Sequence, residues 1–357
     1  MKRLEQQRGF LDLVDGIRDY QAENFDKAQS NWGAWTRQQD DILGCFARSL
    51  QANLSSDVEG VSNLYSPDQA PAARQIDLFR EISRLPHIDW PRRLTAKLHR
   101  THRQPKTTHL ELGIGSGEQA QQIVEASEGQ ISRVVGVDFD PASVEMSRER
   151  FARMSVDFVG IVEPFDHLDW TQLRSIAGDA LTVNAAFALH HLSLPEKRRV
   201  LQGVASLSPR LLTLIEPSSD HWSADLLTRF VNAYSHFQVV GELIGTLETS
   251  VEIRRGLLQF FGREIDDIMR DSPARFERHE QWTFWYGELL RCGMAPLGLE
   301  STVADTPMET FQPEVSGPGV ATICKRTTPL VSVFAFGKPG PKLVYEPEAL
   351  KAEPGGS

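Results

Sequence analysis

Apolar residues recur along this chain with two different periods, and the change from one to the other divides it. Up to about residue 100 the period is helical. Phe10, Val14 and Ile17 share one helical face, and Ile42, Leu43, Phe46 and Leu50 share another. Residues 55–71 are polar and rich in turn formers, which predicts an exposed connection. Helical spacing resumes through Ile76, Phe79, Ile82 and Leu85, breaks at Trp90-Pro91, and resumes over residues 91–100. Residues 1–100 therefore read as a helical cap. From residue 101 to 337 the pattern is that of a sheet-based core. Short apolar runs at 109–112, 134–137, 156–162, 180–187 and 211–215 alternate with helical stretches that include 119–126, 141–154 and 195–206. That alternation predicts an α/β fold with a doubly wound, mostly parallel sheet and right-handed crossovers. Helical spacing returns in 220–291, through Leu226, Leu227, Phe230, Val231 and Tyr234 and again through Leu257, Leu258, Phe261, Ile265 and Ile268. This block is expected to be inserted between strands and to join the cap. Runs at 297–303, 321–325 and 330–336 predict terminal strands. The tail 338–357 is rich in Pro, Gly and Glu and predicts disorder.

Candidate chemistry begins at the first strand. The run from Leu110 to Gly117 (LELGIGSG) reads as a buried strand entering a glycine turn, with a helix behind it. About twenty residues on, a second strand ends in Asp138. Glycines permit positive φ and close backbone approach, a helix N-terminus offers free N–H groups, and a strand-terminal acid can accept from ribose hydroxyls. The layout is that of a nucleoside site at the strand ends. Gly113, Gly115 and Gly117 form G-x-G-x-G followed by Glu118, not the G-x-G-x-x-G of a dinucleotide site. Glu111 before the turn suits a cofactor carrying an ammonium group. S-adenosylmethionine is therefore the expected cofactor. A glycine turn without any ligand, and a nicotinamide cofactor, are the competing readings.

Composition narrows the setting. The chain has 357 residues, 40% hydrophobic and 24% charged, with a net charge of −10. That is enough chain for a large core, and the acidic balance argues against a general nucleic-acid surface. Cys45, Cys292 and Cys324 are scattered and fit reduced thiols better than disulfides or a zinc site. No window has the length of a membrane span and no signal peptide is evident, so a cytoplasmic protein without membrane contact is expected.

Several segments, in order, are similar to one family. Residues 179–192 (DALTVNAAFALHHL), 211–216 (LLTLIE), 261–268 (FGREIDDI), 275–285 (RFERHEQWTFW) and 292–301, with 22–28 (AENFDKA) near the start, resemble the GRAS domain family, known from plant transcriptional regulators. The resemblance is to a bacterial-type member without a long variable N-terminus. It implies a seven-stranded Rossmann-like methyltransferase sheet under a helical cap. Plant members have a V-H-I-I-D-type segment in place of residues 110–117 and act mainly through protein interactions. The intact glycines of this chain point instead to catalysis.

The expected enzyme is thus a methyltransferase acting on a small-molecule acceptor held between core and cap. The alternative is a non-catalytic GRAS-type module that binds a small ligand or a partner protein. Glu111, Gly113, Gly115, Gly117, Asp138, Phe139 and Asp166 are the expected cofactor contacts. The competing role for Asp138 is capping the helix that opens at Pro141. His190, His191 and Glu216, at the ends of strands four and five, are the candidate bases or orienting groups. Asn184, Phe187, His221, Tyr234, Arg263 and Glu264 are the candidate acceptor contacts. For Arg263 and Glu264 an ion pair between cap and core is the competing role. Trp282, Phe284, Trp285 and Tyr286 read as core packing. Nothing in the spacing of His190, His191, Glu216 and His221 singles out a metal site. A homodimer through the cap is compatible with the pattern.

Overall fold

The computed structural model of the chain describes residues 2–38, 41–54, 72–102, 105–272, 275–306, 308 and 311–339. The polar connection at 55–71 and the tail beyond 339 lie outside the described residues. The first hundred residues form α1 (Lys2–Gln21), α2 (Phe25–Gly33), α3 (Ile42–Ala52), α4 (Ala72–Ser83) and α5 (Pro86–His102). Asp41 starts α3 by accepting from the Gly44 N–H at 2.9 Å. Helix α5 runs unbroken through Pro91, where a break was expected. Pro91 lacks the N–H that would reach the His87 carbonyl, and burial of Trp90, Leu94 and Leu98 holds the turn together.

Strands and helices then alternate: β1 (Thr107–Leu112), α6 (Glu118–Ala126), β2 (Ile131–Asp138), α7 (Pro141–Phe151), β3 (Asp157–Val162), a 3-10 turn (Phe165–His167), α8 (Trp170–Ala177), β4 (Leu181–Ala186), α9 (Leu194–Ser206) and β5 (Leu211–Pro217). The helical block that follows holds α10 (Leu226–Thr246), α11 (Val251–Met269) and α12 (Trp282–Arg291). After it come β6 (Ala295–Pro296), α13 (Glu300–Ala304), β7 (Gln312–Gly317), β8 (Val320–Lys325) and β9 (Thr328–Gly337). Asp225 fixes the start of α10 by accepting from the Thr228 N–H at 2.7 Å.

Among the described residues the sheet has nine strands in the order β3-β2-β1-β4-β5-β9-β8-β7, with β6 also on β9. Pairings from β3 through β5 are parallel, and those of β6 to β9 are antiparallel. The fold is thus α/β with a mixed sheet, not the mostly parallel seven-stranded sheet expected. Two departures have local causes. Residues 297–303 were expected as a strand, but only Ala295–Pro296 pairs with β9. Leu299 and Val303 are four apart, a helical interval, and they belong to the turn of α13. Strand β7 went unread because Gln312–Gly317 lies at an edge with a largely exposed surface and no alternating apolar set.

Period-two alternation sends side chains to both faces of the sheet. On β5, Leu211 and Ile215 join the cluster made with α1, α3, α5, α10 and α11, while Leu212 and Leu214 join a second cluster with α8, α9 and α12. Trp285 of α12 is fully buried in the second cluster, with Trp282, Phe284 and Tyr286 packed against it, as expected for core aromatics.

Candidate functional site

The glycine turn has the backbone that its sequence asks for. Gly113, Gly115 and Gly117 all have positive φ, at 76°, 50° and 76°. A side chain at Gly113 would meet Ala188, and one at Gly117 would meet Ser147, each within 2.8 Å; at Gly115 it would meet nothing within 4 Å. Only Gly115 therefore borders open space. Asp138 closes the turn from below: Oδ2 accepts from the Gly115 N–H at 2.9 Å, and Oδ1 accepts from the Asp140 N–H at 3.1 Å. Burial raises its carboxyl above the ordinary range, and these backbone donors oppose that rise. The cap of α7 is Asp140, which accepts from the Ala142 and Ser143 N–H groups. Asp138 is thus a loop fastener, and its neighbour takes the capping role. Phe139 is 48% exposed beside the turn. Asp166 lies in the 3-10 turn, 3.6 Å from His167.

Glu111 does not face the turn. Alternation along β1 sends it, with His109, to the sheet face beneath α5. There Glu111 Oε2 lies 2.8 Å from His109 Nε2, and Oε1 accepts from Asn184 Nδ2 at 2.6 Å. Asn184 Oδ1 in turn accepts from Thr213 Oγ1 at 2.7 Å, which lies 2.8 Å from His99 Nε2 of α5. Glu111 and Asn184, expected on cofactor and acceptor, are joined in this one buried chain of hydrogen bonds.

A second buried polar group occupies the ends of β4 and β5. Glu216 Oε1 accepts from the Leu189 N–H at 2.8 Å, and Oε2 takes His190 Nδ1 at 2.7 Å. His190 Nε2 then faces Glu277 Oε2 at 3.5 Å, His279 Nε2 faces the same oxygen at 3.1 Å, and His191 Nδ1 lies 3.7 Å from it. Burial by itself would lower His190, but the Glu216 and Glu277 carboxylates outweigh it and push the imidazole up to about 10. His191 moves the other way, to about 3, through burial and the charge of His190. Adjacency in sequence thus gives two histidines that titrate in opposite senses although their rings lie side by side, centroids 3.9 Å apart.

Of the expected acceptor contacts, His221 and Glu264 adjoin this group. His221 Nδ1 is 2.8 Å from His279 Nδ1. Half-buried Glu264 has Glu277 and His190 as its electrostatic neighbours, and burial followed by Glu277 raises it well above the carboxylate range. Its charged neighbours are thus in this cluster, whereas Arg263 beside it is half-buried on the same helix. Phe187 takes a left-handed backbone, φ 52°, and packs into the cap-side core. Tyr234 lies among Phe10, Phe46 and Phe230, inside the cap and away from the strand ends.

Sequence reasoning passed over Glu277 and His279. Both were in view within the run 275–285, and their E-x-H spacing in an extended segment puts them on one side of the chain. Lys197 of α9 was also missed: it is 1% exposed, donates to the Arg278 carbonyl at 2.9 Å and lies over the Phe284 and Trp285 rings.

The model of the GRAS domain family matches residues 147–314. Among curated relatives, Scarecrow-like protein 21 of Arabidopsis thaliana is 27% identical over 216 residues, covering 55% of this chain and 52% of that protein. Scarecrow-like transcription factor PAT1 of the same plant is 32% identical over 138 residues, 36% of this chain and 28% of that one. The chain spans about half or less of the length of the curated relatives it matches. The solved structure of SCL7 from Oryza sativa aligns at a TM-score of 0.76 with 21% identity, over 92% of this chain and 99% of that one, which shows a shared fold. Methyltransferase structures align only at TM-scores of 0.38 to 0.42, with too little likeness to carry an argument. These findings correct the enzyme expectation. The relatives are GRAS regulators, so a methyltransferase with a small-molecule substrate is not supported. No described helix is long and apolar enough to cross a membrane. Family model and relatives point the same way: residues 147–314 of this chain match the GRAS domain family.

Proposed function

We propose that the chain is a non-catalytic GRAS-type module that acts in transcription control by binding a partner protein. The observation that carries this reading is the state of Glu111 and Glu216. These acids, expected at the cofactor and as a base or orienting group, are 1% and 0% exposed and engaged by their own neighbours. The relative named a transcription factor supplies the class of process. The cap offers apolar groups to a partner: Leu4 and Leu11, on one face of α1, are 72% and 59% exposed, and Phe25 at the start of α2 is 51% exposed. Such a role puts the working protein beside the transcription apparatus, in place of the cytoplasmic setting expected from the sequence.

The test is a tethered reporter. The full chain is fused to a heterologous DNA-binding domain in plant protoplasts and should change reporter output. The double variant Leu4→Lys, Leu11→Lys should lose the effect while melting at the same temperature. An unchanged reporter with well-expressed wild-type fusion overturns the proposal.

A second reading is favoured by the space at Gly115 and the exposed ring of Phe139: the glycine turn binds a nucleoside ligand of the S-adenosylmethionine type without turning it over. Calorimetric titration of S-adenosylmethionine and its demethylated product should give saturable binding that weakens in Gly115→Val. Absence of heat from either compound with folded protein removes this reading.

A further inference from the structure

We propose that His190, Glu277 and His279 form a binding site for a divalent transition-metal ion of the zinc class, which fastens the ends of β4 and β5 to the segment that follows α11.

The three ligand atoms lie within 4.8 Å of one another, and all three residues are buried. The His190 Nε2 to Glu277 Oε2 distance is 3.5 Å and the His279 Nε2 to Glu277 Oε2 distance is 3.1 Å. Metal–nitrogen and metal–oxygen bonds of about 2.0–2.1 Å give a tetrahedron edge of about 3.3 Å, which these two distances bracket. Two imidazoles and a carboxylate are ligand types that zinc accepts, and three protein ligands leave a fourth position for water or for nearby Glu264.

The outer nitrogens supply an independent argument. A metal-binding histidine characteristically hands its other ring N–H to a fixed acceptor, which sets the tautomer. His190 does this through Nδ1, 2.7 Å from Glu216 Oε2. The outer nitrogen of His279, Nδ1, lies 2.8 Å from His221 Nδ1, a buried contact at which one ring donates to the other. Both inner nitrogens, His190 Nε2 and His279 Nε2, converge on Glu277 Oε2. A metal ion there displaces the protons these groups otherwise share and leaves both outer contacts in place.

The test uses the full chain, stripped with a chelator and titrated with cobalt(II) and zinc(II). One equivalent of zinc should raise the melting temperature, and cobalt should give the d–d absorption of a four-coordinate site. His279→Gln should abolish both, with far-UV circular dichroism confirming that the variant is folded. Glu216→Gln, which disturbs the outer contact of His190 while leaving the three ligands in place, should weaken binding roughly 10–100-fold. If His279→Gln does not fold, X-ray absorption on the zinc-loaded wild type decides: a first shell with two imidazoles and light oxygen ligands supports the site, and sulfur ligands or a water-only shell overturns it. Absence of saturable binding by the folded wild type overturns it equally and leaves a proton as the cation between these groups.

Discussion

Single residues in this molecule are held by opposing local demands. At Gly117 the backbone is left-handed at φ 76°, and an added Cβ would stand 2.8 Å from Ser147 Oγ. Strain and crowding add, so Gly117→Ala should destabilise the fold by about 2 kcal/mol, read as a lower urea midpoint with an unchanged slope. Gly115→Ala meets open space and should cost only the strain of its positive φ. His87 shows the same logic in titration. It is fully buried with no partner for Nδ1, and burial holds it down to about 3. Its folded value lies below the unfolded value near 6.5, so its contribution is complete above pH 6.5 and is lost as pH falls toward 3. At pH 5 the loss is about 2 kcal/mol by linkage. His87→Leu should flatten the fall in urea stability between pH 7.5 and 5, and an equally steep fall in the variant would show that other groups govern it. The residue scale is also where the sequence was hardest to read. The three glycines and Asp138 were legible because positive φ and strand-end acids leave a local signature. The true setting of Glu111 was not, because its partner Asn184 comes from another strand, and the chain of hydrogen bonds runs on to Thr213 of a third strand and His99 of the cap.

At the scale of elements, periodicity carried most of the information and packing set the boundaries. The parallel strands were visible as apolar runs: β1, β4 and β5 are buried almost throughout, and the half-exposed edge strand β3 still carries Phe158, Val159, Ile161 and Val162. Strand β7 was invisible because it has little to bury, and α13 was misread because a short stretch of Leu and Val fits either period. The cap helices show what fixes an element in place. Trp32 of α2 is fully buried, its indole lies over the position where Gly16 of α1 has no side chain, and Nε1 donates to the Leu13 carbonyl at 3.3 Å. Trp32→Ala removes that wedge and should cost about 3–5 kcal/mol. Loss of near-ultraviolet dichroism from the cap with the sheet signal retained would show that α1 and α2 come away first. A fully cooperative transition at lower denaturant would show that cap and sheet unfold as one.

Over the whole molecule, the cap and the core are joined by shared hydrophobic surface, since residues of α1, α3, α10 and α11 and of β5, β8 and β9 make one cluster. That joining explains why family likeness and glycine motif pointed in different directions. The motif is a property of one turn, whereas the likeness runs through residues 147–314, where the acids and histidines of β4, β5 and the segment after α11 close upon each other. A protein-binding module needs the scaffold, and its strand ends can be spent on internal contacts.

The position of β9 has a consequence for how this chain comes to be folded. Residues 328–337 lie between β5 and β8, in the interior of the sheet, although they follow every other described strand in sequence. During synthesis the five parallel strands can assemble early, but β5 keeps an unpaired edge until more than a hundred further residues have emerged and β9 can dock. Ordering of the sheet therefore waits on its most distant strand in sequence, which predicts slow folding. The half-made protein meanwhile presents an open hydrogen-bonding edge, the feature through which nascent chains join one another.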